Sequence, residues 1–222
     1  MLLLAADTSG KHGSIALAQC GPGDECRIVE VVPLAGGTFS AQLVPQIAEL
    51  LKKHGFAKHD LGGFAVASGP GSFTGLRVGL AALKALAEVL GKPMAAVSVL
   101  EAVADAAKSR GKLLAALDAG RGAVYAGGYE AGRITDFGER LLTLEEFLAQ
   151  ARDHIVVTPD SSVAGAVRAA GLTTEEIERP HSNAIARLGY RKIQSGQVVS
   201  PQDLDANYIR RLDAGIFAKP SS

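Results

Sequence analysis

An α/β fold made of two similar halves is what this sequence predicts, and three observations carry the prediction. An apolar run, Gly63–Ala67, enters a glycine-rich turn, Ser68–Gly75, and a long amphipathic helix leaves it. A strand, an acidic turn and a second strand come at Leu2–Ala18 and again at Leu113–Tyr129. The aspartates of those turns, Asp7 and Asp118, lie half the chain length apart. Each half therefore reads as three strands, a helix, a strand and a helix.

In order, Leu2–Ala6 and Ser14–Ala18 are apolar strands joined by Asp7–Gly13, and Gly21-Pro22-Gly23 turns the chain into a third strand, Cys26–Pro33. Ser40–Lys53 follows as a helix, with Leu43, Val44, Ile47, Leu50 and Leu51 at helical spacing and Pro45 in its early part. The helix after the glycine turn, Phe73–Leu90, places Leu76, Leu80, Leu83, Ala87 and Leu90 on one stripe and Gly75, Gly79, Ala82 and Leu86 on the next. Met94–Val99 is a strand, and Ser98–Arg110 is a helical link between halves. The second half adds a strand near Arg133–Phe137, a helix over Thr143–Arg152, a strand over His154–Thr158 and helices near Ser161–Ala170 and Ser182–Ser195.

Composition excludes several functions. The 222 residues are enough for one large domain or two small ones with real cores. Lys+Arg and Asp+Glu are both 23, so nothing global draws the chain to nucleic acid or an anionic membrane. No apolar stretch suits a bilayer span, and Met1–Ala6 has no basic leader and reads as a strand, so a cytoplasmic protein is expected. Cys20 and Cys26 flank a turn and are expected to be free, inert thiols. The histidines, His12, His54, His59, His154 and His181, form no metal-binding pattern.

The glycine turn admits three readings: an anion site at a helix N-terminus, a face for a second protein, or an ordinary strand-to-helix turn. No Gly-Lys-Ser/Thr ending is present, and Gly-x-Gly-x-x-Gly is only partly met. Glycine inside a helix costs roughly 1 kcal/mol relative to alanine, so Gly75 and Gly79 call for a close backbone approach.

The run Gly69-Pro70-Gly71-Ser72-Phe73-Thr74-Gly75-Leu76-Arg77-Val78-Gly79 closely resembles the signature of the TsaB family, formerly YeaZ. Leu4–Ser9, Val97–Leu100, Asp118-Ala119 with Val124-Tyr125, and Asn207–Arg210 support the resemblance, which is weakest from Glu130 to Gly196. It implies the actin-like ATPase (ASKHA, ribonuclease H-like) duplicated fold, with lobes at 1–100 and 101–222 and the Tyr208–Ala218 segment as a candidate to return to the first lobe. It also implies a non-catalytic scaffold for making threonylcarbamoyladenosine at position 37 of tRNA, working with TsaD and the ATPase TsaE and meeting tRNA only indirectly. Family members pair with TsaD, or with themselves when TsaD is absent, through helices that correspond to Ser40–Lys53 and Phe73–Leu90. Leu43, Ile47, Leu50, Leu76, Leu80 and Leu83 are then the candidate anchors, and Gly75, Gly79 and Ala82 the points of close approach.

A rival reading is an actin-like ATPase or small-molecule kinase in which Asp7, Thr8, Ser9 and Asp118 hold nucleotide and Mg²⁺. Against it, the second turn has no phosphate-binding Gly-Thr partner, and the C-terminal part has no adenosine-binding Gly-Gly motif. No cofactor or metal is expected in the isolated chain, which leaves ATP or ADP to the interface of the complex. A peptidase is a third reading, and no paired histidines or triad support it. Three positions depart from the family pattern: Phe39 stands where histidine is common, Gly120 where arginine is usual, and Ala123 where glutamate is frequent. The Phe39 region also lacks the His-x-x-x-His pair of TsaD.

Overall fold

The computed structural model describes residues 1–200, apart from 24, and residue 209. Its elements follow the chain as β1 (Leu2–Asp7), β2 (Gly13–Cys20), β3 (Cys26–Leu34), α1 (Phe39–Lys53), β4 (Leu61–Gly69), α2 (Phe73–Leu90), β5 (Met94–Ser98) and α3 (Val99–Asp105). Then come β6 (Lys112–Gly120), β7 (Ala123–Glu130), β8 (Arg133–Thr143), α4 (Leu144–Gln150), β9 (Ile155–Thr158), α5 (Ser161–Ala169), β10 (Thr174–Glu176) and α6 (Ser182–Gln194). The sheet orders are β3-β2-β1-β4-β5 and, read from its other edge, β8-β7-β6-β9-β10, so one topology occurs twice. This is the duplicated actin-like α/β fold.

The chain divides into two units, Met1–Ala102 with 180–207, and Val103–Arg179 with 208–222, of which only residue 209 is described. The sequence puts 101–222 in the second lobe, with the Tyr208–Ala218 segment as the candidate to return; the structure instead packs α6 on β1, β2, β4 and β5 of the first sheet. The reason is steric fit. A Cβ on Gly189 would lie 2.2 Å from the Cβ of Ala65, so helix and strand meet there with only the Ala65 methyl between them. Gly63 and Ala65 meet α6, and strand alternation sends Phe64 and Val66 to the opposite face, beneath α2. The Tyr208–Ala218 segment, Ile209 apart, lies outside the described residues.

The second unit closes over Leu114, Ala116, Val124, Phe147, Val156 and Val167. Strand β10, absent from the sequence reading, pairs in parallel with β9, and Glu175 accepts hydrogen bonds from the backbone N–H groups of Lys108 and Ser109. Among the described residues, no helix is long and apolar enough to cross a membrane. The expected free thiols are corrected too: Cys20 and Cys26 face each other across the β2–β3 ladder and form a disulfide.

Candidate interaction surface on the glycine-turn helix

Strand β1 ends in three buried polar residues, Asp7, Thr8 and Ser9, and the N-terminal turns of α2 close over them. The Ser9 N–H and hydroxyl both donate to Asp7 Oδ1, at 2.9 and 2.6 Å. The Thr8 hydroxyl donates to the Gly75 carbonyl at 2.7 Å, and the Ser72 N–H to the Ser9 carbonyl at 2.7 Å. Ser72 also caps α2 by accepting from the Gly75 N–H, as a serine before a helix should.

The glycines make this clasp sterically feasible. A Cβ on Gly71 would stand 2.3 Å from the Ser9 carbonyl oxygen, on Gly75 2.1 Å from that of Thr8, and on Gly79 2.4 Å from the Thr8 hydroxyl. Gly69 takes a φ of 117°, open to glycine alone, whereas Gly71 is needed for space and not for φ. Phe39 fills the remaining corner, against the backbones of Gly13 and Gly75.

This geometry corrects the predicted interface. Leu43, Ile47, Leu50, Leu76, Leu80 and Leu83 are all 5% exposed or less, and Gly75 and Gly79 are spent on Thr8. The leucine stripe is core, because one face of each helix must cover the sheet. Ala82 is half-buried at the edge of that stripe. The outward face is different. On α2 it runs through Thr74, Val78, Ala81, Ala85 and Val89, spaced by three and four residues, with Val89 79% exposed and Val78 half-buried. On α1 it runs through Ala41, Val44, Pro45 and Ala48, with Val44 56% exposed. Phe73, 44% exposed, carries the Arg77 guanidinium 3.8 Å above its ring at the head of the α2 face. Sequence reasoning missed this stripe because alanine and valine signal apolar character less strongly than leucine. The available clue was that α2 is apolar nearly all round.

Asp118 sits in a different setting, exposed at the end of β6. Its carboxylate accepts from the Gly120 N–H at 2.7 Å and from the Ser162 hydroxyl at 3.4 Å. Asp160 accepts from the Asp118 N–H and pairs with Arg179 at 2.5 Å. The proposed nucleotide turn in the first unit thus has the Thr8 hydroxyl and the Ser9 N–H and hydroxyl occupied by the protein itself. Among the described residues, no three His, Cys, Asp or Glu side chains converge to hold a metal ion.

The model of the family described as TsaD, tRNA N6-adenosine threonylcarbamoyltransferase, matches residues 31–198. The chain belongs to this family, in its TsaB (YeaZ) branch. It is 37% identical to the tRNA threonylcarbamoyladenosine biosynthesis protein TsaB of Bacillus subtilis over 131 residues, 59% of this chain and 56% of that protein. With TsaB of Escherichia coli it shares 32% identity over 133 residues, 59% of this chain and 55% of that one. The matched part spans about half the length of these curated relatives. Among solved structures, a Pseudomonas aeruginosa protein described as similar to peptidase YEAZ superposes with a TM-score of 0.75 at 27% identity, covering 94% of this chain and 99% of that one.

Proposed function

We propose that this protein is a non-catalytic scaffold and activator in the synthesis of threonylcarbamoyladenosine at position 37 of tRNA. In this reading it pairs with TsaD through the outward stripes of α1 and α2, and pairs with itself through the same stripes when TsaD is absent. TsaE joins the pair, ATP or ADP binds at the interface of the complex, and tRNA is met mainly through the partner, in keeping with a net charge of zero. A cytoplasmic location goes with this role.

The observation that carries the reading is the exposed stripe itself. Thr74, Val78, Ala81, Ala85 and Val89 continue an apolar surface on a helix whose opposite face is already committed to the core. Small side chains there let a partner helix approach closely, and an exposed phenylalanine stacked with arginine is typical of interface anchors. Family membership and the naming of the curated relatives for threonylcarbamoyladenosine biosynthesis support the pathway.

Ala85→Arg puts a charge on the stripe without touching the core. The variant should stay folded and lose at least about tenfold in affinity for the cognate TsaD, because an unpaired charge buried in an interface costs several kcal/mol. Calorimetry of the two proteins reads this directly. Wild-type affinity for a folded Ala85→Arg would overturn the proposed face.

A further inference from the structure

The tip of the β2–β3 hairpin holds two sulfurs that the proposed docking role does not use. Cys20 and Cys26 are directly opposite in the ladder, with Cα atoms 4.1 Å apart, as in the closer type of antiparallel pair. A register shift between Leu17 and Ala18 sets the tip apart, so that only Ala18↔Ile28, Gln19↔Arg27 and Cys20↔Cys26 pair beyond it. Strand β3 is the sheet edge, and Cys26 on it is partly exposed, whereas Cys20 is 4% exposed.

We propose that Cys20 and Cys26 form a reversible redox staple that controls opening of this tip. The fold does not depend on the bond. The ladder, the Gly21 N–H to Glu25 carbonyl bond and the Tyr190 hydroxyl bond to the Gly21 carbonyl hold the cysteines opposite each other in the dithiol as well. Preorganised thiols oxidise readily because closure is intramolecular, and a loop with a sequence separation of 6 adds little constraint to the unfolded chain. The exposures assign the roles: Cys26 meets the external reagent and Cys20 resolves.

The chemistry is thiol–disulfide exchange with a small disulfide of the glutathione class. The Cys26 thiolate attacks one sulfur of the reagent, forming a mixed disulfide and expelling one thiolate. The Cys20 thiolate then attacks Cys26, and the second thiolate leaves. The two protein protons end on the two released thiols, so the protein pair is oxidised and one small disulfide is reduced. The reverse sequence reopens the staple.

The test equilibrates the full chain in reduced and oxidised glutathione mixtures of graded ratio, traps thiols by alkylation, and reads intact mass beside hydrogen exchange. A single passage from two alkylated cysteines to none is expected, reversible with excess reduced glutathione. Exchange across residues 18–28 should be about tenfold slower in the oxidised protein. Cys26→Ser should keep the native fold and exchange at the fast rate in both mixtures. A stable glutathione adduct on Cys26, a bond that reduced glutathione does not open, or tip exchange indifferent to redox state would each overturn the proposal.

Discussion

In the first unit the acidic hairpin is buried: Asp7, Thr8 and Ser9 face inward, and α2 lies against Thr8 at Gly75 and Gly79. In the second unit the matching hairpin is open. Asp118 and Gly120 are exposed, and Gly120, Arg121 and Gly122 all take φ between 59° and 73° in a tight turn. A Cβ on Gly120 or Gly122 would meet nothing within 4 Å among the described residues, and α4 touches the turn only through the Leu144 N–H, which donates to the Gly122 carbonyl at 2.9 Å. The helices differ in the same sense. The Cβ positions on α2 at Gly75 and Gly79 fall within 2.4 Å of Thr8, whereas a Cβ on Gly165 of α5 meets nothing within 4 Å. One topology therefore carries two local designs, and the tight one presents the apolar outer stripe.

The sharpest way to break this comparison is Gly75→Ala. Its Cβ must displace the backbone oxygen of Thr8, so a loss of about 3 kcal/mol is expected in urea denaturation. Gly79→Leu should be destabilised in the same sense, because its side chain meets the Thr8 hydroxyl 2.4 Å from the Cβ position. A wild-type midpoint for Gly75→Ala would show that hairpin and helix are not clasped.

Next in size is Thr8→Val, which removes the buried hydroxyl bond to the Gly75 carbonyl while that carbonyl keeps its place in the helix, and should cost about 0.5–1.5 kcal/mol. The counterpart in the open hairpin, Ser162→Ala, removes an exposed bond to Asp118 and should stay within about 0.5 kcal/mol of wild type. Equal losses would erase the distinction between the two hairpins.

Gly165→Ala should reverse the sign. With free space for the Cβ and a better helix former, it is expected to stabilise by about 0.5–1 kcal/mol, read as a higher thermal midpoint.

The smallest effect concerns acid. The Thr143 N–H, then its hydroxyl, hold the Glu146 carboxyl below the ordinary 4.5 in the cap of α4. A lowered carboxylate contributes stability above its unfolded value, and that contribution fades as pH falls through the folded one. Glu146→Gln should thus slightly flatten the fall of the thermal midpoint below that pH. In the first unit, Glu30 is lowered by hydrogen bonds from Lys53 and then His54, so Glu30→Gln should act in the same direction. An unchanged slope in both variants would remove these carboxylates from the acid response.

Much of this molecule was legible in order along the chain. Alternating apolar runs marked the strands, the glycine turn marked the approach to α2, and the recurrence of an acidic turn marked the repeat. The glycines of α2 announced a close approach, but not its direction. They face Thr8 inside the unit, because the spacing along a helix sets which residues share a face and leaves open what that face meets.

Periodicity, turn chemistry and the signature run by themselves determined the fold class and the family, since each is a property of neighbours in sequence. Only the tertiary structure decided which apolar stripe of α1 and α2 is core, that α6 returns to the first sheet, and that Cys20 meets Cys26. Those outcomes depend on contacts between distant segments, where one helix face is taken by the sheet and the other is left exposed.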